Sequence, residues 1–200
     1  MGIKNLHLRR ALTGALFFLL SSMTGITKSI AQDFTVGVLN YSVNDDGVSV
    51  TVTGHVDGQD ATGSLVIPDL VSYEGVDYPV TTIEGWAFAY CTGFTGGLTI
   101  PNSVTIIVEG AFYGCYGFTG SLTIPNFATS IGDYAFSDCY GFTGTLTIPS
   151  SVTSIGGYAF YNCSGITEVV YNATNCADIN YDWSSPFTGC GSSLVIGENV

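Results

Sequence analysis

His55, Asp57 and Asp60 stand close together early in the chain. A His–Asp pair can move protons, but no Ser or Cys has the setting of an activated nucleophile. His55 therefore reads as a partly exposed hairpin residue, not a catalyst. Glu84, Glu109, Asp133, Asp138 and Glu168 could in pairs serve glycoside hydrolysis, yet they read as scattered among loops, where solvated charge explains them. Asp45/Asp46 and Asp57/Asp60 are the candidate calcium ligands, and neither pair lies in a spaced D-x-D-x-D-G loop. Zinc is disfavoured, since the chain has no C-x-x-C pair and His55 is the one histidine beyond residue 31. The expectation is no catalytic, cofactor or metal residues.

Six cysteines remain. Cys91, Cys115, Cys139, Cys163 and Cys190 each close an A-F-x-x-C or P-F-x-x-C motif, so they should form one inward ladder with parallel Cα–Cβ vectors. Parallel vectors make poor disulfide geometry, and buried free thiols acting as small hydrophobes are expected. Cys176 stands apart, and a Cys163–Cys176 bridge is left open on the same geometric grounds. Asn40, Asn162 and Asn172 begin N-x-S/T sequons, which read as chance matches in a chain rich in Ser, Thr and Asn.

Charge excludes more than the motifs do. All four Lys and Arg residues (Lys4, Arg9, Arg10, Lys28) lie in the first 31 positions and all 16 carboxylates lie beyond them. Residues 32–200 thus carry a formal charge of −16 and no Lys or Arg to neutralise phosphates, so nucleic-acid binding is excluded. A P-loop lysine, an arginine finger and a Schiff-base lysine are excluded with it. The cationic start, the apolar run at residues 11–20 and Ser29-Ile30-Ala31 read as a signal peptide cleaved after Ala31. The apolar run is shorter than the ~18–20 residues of a membrane span, so no transmembrane segment is expected after cleavage.

The elements follow from a repeat. Ala87-Phe88-x-x-Cys91 returns at Ala111, Ala135 and Ala159, 24 residues apart each time, and Pro186-Phe187-x-x-Cys190 is a fifth copy displaced by three. Between the copies recur Leu98-Thr99-Ile100-Pro101, Leu122-Thr123-Ile124-Pro125 and Leu146-Thr147-Ile148-Pro149, with Leu65-Val66-Ile67-Pro68 as an opening half-repeat. A period of this length means a solenoid of stacked coils, none able to bury its apolar face alone. In each L-T-I segment Leu and Ile point inward and Thr outward; Pro ends the strand. These strands should stack into one parallel sheet. Val104, Ile107, Phe112, Cys115 and Phe118 complete a core layer. Gly93, Gly117, Gly141 and Gly165 share a position that reads as a turn with positive φ. Gly132 and Gly156 align with Val108 and Glu84, so no special backbone angle is expected there.

The recurring L-T-I-P-x-S-V-T-x-I-G-x-Y-A-F-x-x-C-x-G pattern resembles the BspA-like (Treponema-type) leucine-rich repeat over residues ~65–200, and residues 171–180 resemble an irregular coil found late in such arrays. The resemblance implies an α/β-type leucine-rich repeat horseshoe, mostly β and irregular. It further implies an exported binding protein, in several members an adhesin for host matrix proteins or other bacteria, with no catalytic residues to carry over. The expected organisation is a signal peptide at 1–31, an N-terminal β-hairpin cap at 32–62 and about five coils at 63–200 in a right-handed solenoid. The cap rests on Asn44-Asp45-Asp46-Gly47 between two alternating segments. An inserted hairpin around residues 72–80 interrupts the first repeat. Residues 193–200 read as the start of a further coil, as if the array were truncated.

Outward positions supply the functional lead. Thr99, Thr123 and Thr147 form one expected row, with Gly97, Ser121 and Thr145 beside it. Tyr116 and Tyr140 form an aromatic row, and Tyr113 and Tyr161 share another loop position. Hydroxyl rows stabilise sheets by cross-strand hydrogen bonding, and rigid faces of hydroxyls and rings also bind protein loops or glycans. The expectation is a secreted or cell-surface, non-enzymatic adhesion module for a host protein, matrix component or other bacterium. A carbohydrate-binding module and a structural spacer for a downstream domain are the alternatives.

Overall fold

The structure, a computed structural model, describes residues 32–56, 62–174, 185–191 and 193–196. The leader, Asp57, Asp60 and Cys176, and with them the cleavage site and the Cys163–Cys176 bridge, lie outside the described residues. The chain is a β-solenoid of about four turns with parallel strands and, among the described residues, no helix.

Three strands open it: β1 (Asp33–Val36), β2 (Leu39–Val43) and β3 (Val50–His55). The first segment expected as one strand breaks at Gly37, where φ is 62°, so β1 and β2 form a hairpin of their own. β2 and β3 pair antiparallel across the Asn44–Gly47 turn. There Asp46 accepts the Val48 and Ser49 N–H groups and the Ser49 hydroxyl, an Asx-type turn written into the local sequence.

The solenoid follows. β4 (Leu65–Val66) is two residues long; β5 (Leu70–Tyr73) and β6 (Val76–Ile83) form the inserted hairpin, closed by Glu74 and Gly75 at φ 50° and 81°. Both positive angles suit the twist of a two-residue hairpin. β3 lies parallel to β6, and the ladder runs on through β8 (Ile106–Ile107), β9 (Ser130–Ile131) and β11 (Ser154–Ile155). Val52, Ile83, Ile107, Ile131 and Ile155 stack inward along it.

That long sheet runs along an edge of the coils that the L-T-I reading passed over. The L-T-I edge itself is discontinuous. β4 pairs with β7 (Leu98–Thr99), and β10 (Gly144–Ile148) pairs with β12 (Ile166–Tyr171) and then β13 (Ser193–Ile196). Leu122-Thr123-Ile124 is not strand, so the expected single sheet is corrected to two pieces. Across the break, among the described residues, a single parallel bridge from Gly120 to Phe142 remains.

Side chains on one repeat position stack on themselves. Phe88, Phe112, Phe136, Phe160 and Phe187 form one column with neighbouring ring centroids 5.3, 5.1, 5.3 and 5.5 Å apart and near-parallel planes. Phe94, Phe118 and Phe142 form a second, edge-on to the first. Offset stacks and edge contacts are the favoured aromatic geometries. Tyr41, Val50, Val52 and Phe34 are buried beside the first coil, with Phe34 stacked on Tyr73 of β5 at 4.2 Å.

The glycine expectations are corrected in their cause. Gly117, Gly141 and Gly165 have no positive φ; a Cβ at Gly141 would instead run into the carbonyl oxygen of Phe118 in the preceding coil, and its two counterparts meet Phe94 and Phe142 in the same way. Gly132 and Gly156 need no special angle, but a Cβ there would strike the Glu109 and Asp133 backbone. Close approach of one coil to the next demands these glycines.

Candidate functional site: two outward faces of the coils

The cysteine ladder is the nearest thing to reactive chemistry in the interior. Cys115, Cys139 and Cys163 are buried free thiols, Cys91 and Cys190 half-buried free ones. The S–H groups of Cys115, Cys139, Cys163 and Cys190 donate to phenylalanine carbonyls of the preceding coil: Phe88 (2.8 Å), Phe112 (3.1 Å), Phe136 (3.0 Å) and Phe160 (3.1 Å). Burial pushes Cys91 up to about 11 and Cys115 to about 12, and holds Cys139 well above its ordinary value. Thiolates are the reactive form, and burial keeps Cys91, Cys115 and Cys139 as thiols; Cys190, lowered by its hydrogen bond with Cys163, does not share that shift.

His55 ends β3 and faces Cys91, with Nδ1 3.5 Å from the sulfur, and its ring meets Phe94 edge-on. With Cys91 held as thiol by burial, the pair is not an activated nucleophile. Among the described residues no group of three His, Cys, Asp or Glu side chains is close enough to hold a metal.

Thr99, Thr123 and Thr147 are exposed. Thr99 lies on β7 and Thr147 on β10; Thr123 is exposed between the buried Leu122 and Ile124. Ser121 and Thr145 are exposed beside them, and the Thr145 hydroxyl donates to Glu168 Oε2 at 2.9 Å. In register this row continues into Val66 at one end and Val170 and Val195 at the other. Tyr116 and Tyr140 are exposed and stack in parallel, 5.6 Å apart with 3° between planes. Hydroxyl hydrogen bonding from coil to coil also occurs in another threonine row. Thr105, Thr129 and Thr153 donate to the carbonyls of Thr81, Thr105 and Thr129, each one period earlier.

A larger aromatic surface escaped the sequence reading. Trp86, Tyr90, Tyr113, Tyr134, Tyr158 and Tyr161 form an unbroken chain of ring contacts. Trp86 and Tyr90 both meet Tyr113 edge-on, at 5.6 and 5.2 Å. Tyr113 meets Tyr134 at 6.4 Å, Tyr134 stacks on Tyr158 at 5.2 Å, and Tyr158 meets Tyr161 edge-on at 5.5 Å. Trp86, Tyr90, Tyr134 and Tyr161 are 37–65% exposed, enough to meet a partner. The signal was legible as Trp86, Gly110, Tyr134 and Tyr158 at the 24-residue period, and Tyr90, Gly114, Asp138 and Asn162 four residues later. Both positions take positive φ, from 55° to 68°. Glycine meets that demand in one coil without strain, and there the vacant Cβ sites lie 2.6 Å from the Trp86 ring and 2.8 Å from the Tyr90 ring. The two glycines make room for the two rings.

The acids are less scattered than expected. Glu109 and Asp133 occupy one position in successive coils and both are exposed. Asp133 Oδ1 accepts the Gly157 N–H at 2.7 Å beside Tyr158, and Asp138 Oδ1 accepts Asn162 Nδ2 at 2.8 Å beside Tyr161. The Tyr113 phenol is pushed up first by its hydrogen bond to Tyr90, with the charge of Asp138 among the further causes.

Stacked coils that repeat side chains in rows define a solenoid repeat protein. The BspA type leucine-rich repeat region matches residues 75–193 in six copies, and the chain belongs to that family. Solved structures share the fold. A leucine-rich repeat protein from Bacteroides ovatus is 24% identical with a TM-score of 0.63, over 84% of this chain and 38% of that one. The Treponema pallidum leucine-rich repeat protein is 20% identical with a TM-score of 0.53, over 84% and 87%. One from Bacteroides capillosus is 21% identical with a TM-score of 0.50, over 82% and 98%. The chain thus spans little more than a third of the Bacteroides ovatus protein. No curated protein matches it.

Proposed function

We propose that the protein is an exported, non-enzymatic surface module that binds a host protein, a matrix component or another bacterium through its repeat faces. The observation that carries this reading is the exposed row Thr99, Thr123 and Thr147, with Ser121 and Thr145 beside it, presented by stacked coils. A face of fixed hydroxyls offers adaptable hydrogen bonds without the entropy cost of ordering a loop. Membership of the BspA type family and a cationic, apolar leader support the same reading. Residues 32–200 carry −16 and no Lys or Arg, so attraction favours basic partners and weakens with salt.

The test is binding of the purified protein to immobilised matrix proteins and glycans at low and high salt, with Thr123→Arg and Thr147→Arg as face-blocking variants. A protein hit that weakens with salt and is lost in both variants supports adhesion through this face. Silence across the panel from folded protein counts against it and favours a spacer. A second reading, carbohydrate binding, draws on the exposed parallel pair Tyr116 and Tyr140, whose flat ring faces suit a sugar ring. A salt-insensitive glycan hit, lost in Tyr140→Ala, would promote it.

A further inference from the structure

The six-ring ridge differs in kind from the Tyr116–Tyr140 pair. Four of its five ring contacts are edge-on, with interplanar angles of 63°, 85°, 80° and 85°. Faces and edges therefore turn in different directions along the ridge. A pyranose seeks a flat platform; a cation is best held where ring faces converge from several sides, because the negative π faces then surround it. Carboxylates stand on the same turns. Glu109 directly precedes Gly110, against which Trp86 lies; Asp133 directly precedes Tyr134; Asp138 and Asn162 are hydrogen-bonded next to Tyr161. Asp133 and Asp138 each spend one oxygen on the bonds described above. No Lys or Arg occurs in residues 32–200, so no cation of the solenoid's own competes for the rings or the acids.

We propose that the ridge formed by Trp86, Tyr90, Tyr113, Tyr134, Tyr158 and Tyr161 is a docking site for an Arg/Lys-rich segment of a partner protein, held by cation–π contacts and flanking carboxylates. This rests on the protein-binding reading above, but on a different set of side chains from the threonine face. Guanidinium groups fit best, since they stack on rings and pair with carboxylates at once. Trp86, Tyr90, Tyr134 and Tyr158 sit at positive φ, and the Gly110 coil shows that the turn closes without a ring.

That last point supplies the test. A double variant Tyr134→Gly/Tyr158→Gly gives two further coils the glycine that one coil already carries at this position, so it removes rings while leaving the net charge untouched. Tyr161→Ser copies Ser137 at the same repeat position and serves as the second variant. Full-length protein is titrated with a hexa-arginine peptide, followed by calorimetry and by Trp fluorescence, with hexa-glutamate and a neutral oligosaccharide as comparisons. Each variant is checked for an unchanged circular dichroism spectrum. The expected result is salt-sensitive binding of hexa-arginine, weakened roughly tenfold in the double variant and less in Tyr161→Ser. Asp133→Asn/Asp138→Asn weakens it further at low salt, and Thr123→Arg leaves it unchanged. Equal binding by the ring-less variants would mean that net charge alone attracts the peptide, and would overturn the ridge. So would no binding by the parent protein, or preference for the oligosaccharide. A panel hit lost in Thr123→Arg beside a failed peptide titration sinks the ridge and leaves the adhesion reading standing. A silent panel beside ring-dependent peptide binding does the reverse.

Discussion

At the scale of single residues, the coil interior is held by groups that look reactive and are not. Cys139 fills a layer and donates its S–H to the Phe112 carbonyl. Cys139→Ala is expected to cost about 1–2 kcal/mol, from the small void left by the sulfur and one lost hydrogen bond, read as a lowered urea midpoint; the Phe112 carbonyl keeps the Cys115 N–H. The ladder also sets an alkaline limit. Folded Cys91 and Cys115 are raised to about 11 and about 12 from 9.0, so above pH 9 the unfolded chain releases protons that the folded chain keeps. Stability contributed by these thiols is complete below pH 9 and falls as pH rises toward 11–12, by up to ~1.4 kcal/mol per pH unit for the buried Cys115 and by less for the half-buried Cys91, where solvent screens the effect. Urea titrations at pH 7.5 and 10 check the sign; equal midpoints would refute it. The glycines divide by cause. Gly141→Ala drives a methyl into the Phe118 carbonyl and should cost ~2 kcal/mol or more. Tyr134→Gly, at φ 55°, exchanges strain for lost ring contact and should stay within ~1 kcal/mol.

At the scale of elements, the hairpins were legible because turn chemistry is local. Asp46-Gly47 and Glu74-Gly75 announce their turns in adjacent residues. The break at Gly37 was not read, although the apolar alternation changes phase beside it, from Phe34, Val36 and Val38 to Leu39, Tyr41 and Val43; what makes two strands is β1 folding back onto β2. The β8–β9–β11 edge escaped for a related reason. Two-residue strands carry too little alternation to be seen, and they exist because successive coils bring them into register. The opening strands meet the first coil through Phe34, stacked on Tyr73 and Tyr41. Phe34→Ala should cost about 3 kcal/mol, with β1 and β2 losing amide-exchange protection before the coils do. Uniform loss of protection would show instead that the opening strands and the coils unfold as one unit.

At the scale of the whole molecule, each coil touches its neighbours and little else, so stability is a sum of repeat and interface contributions. Removing residues 122–145, one full period, joins Ser121 to Leu146 in the place of Leu122 and keeps every column in register. The shortened protein should fold, with circular dichroism of the same shape and a lower unfolding midpoint. Removing residues 122–133, half a period, places outward residues inward and should abolish cooperative unfolding.

The sequence by itself determined the period, the inward set of Leu, Ile, Val, Phe and Cys, and the absence of any Lys or Arg after Lys28. Those follow from composition and from spacing along one dimension. Tertiary structure decided which outward positions meet. Rings at positions 86, 90, 113, 134, 158 and 161 come from successive coils, and they touch because stacking brings each coil about 5 Å from the last, four of them from turns at positive φ. It also decided why the glycines are there. Backbone conformation can be guessed from a turn, but the carbonyl that leaves no room for a Cβ belongs to a coil 24 residues earlier.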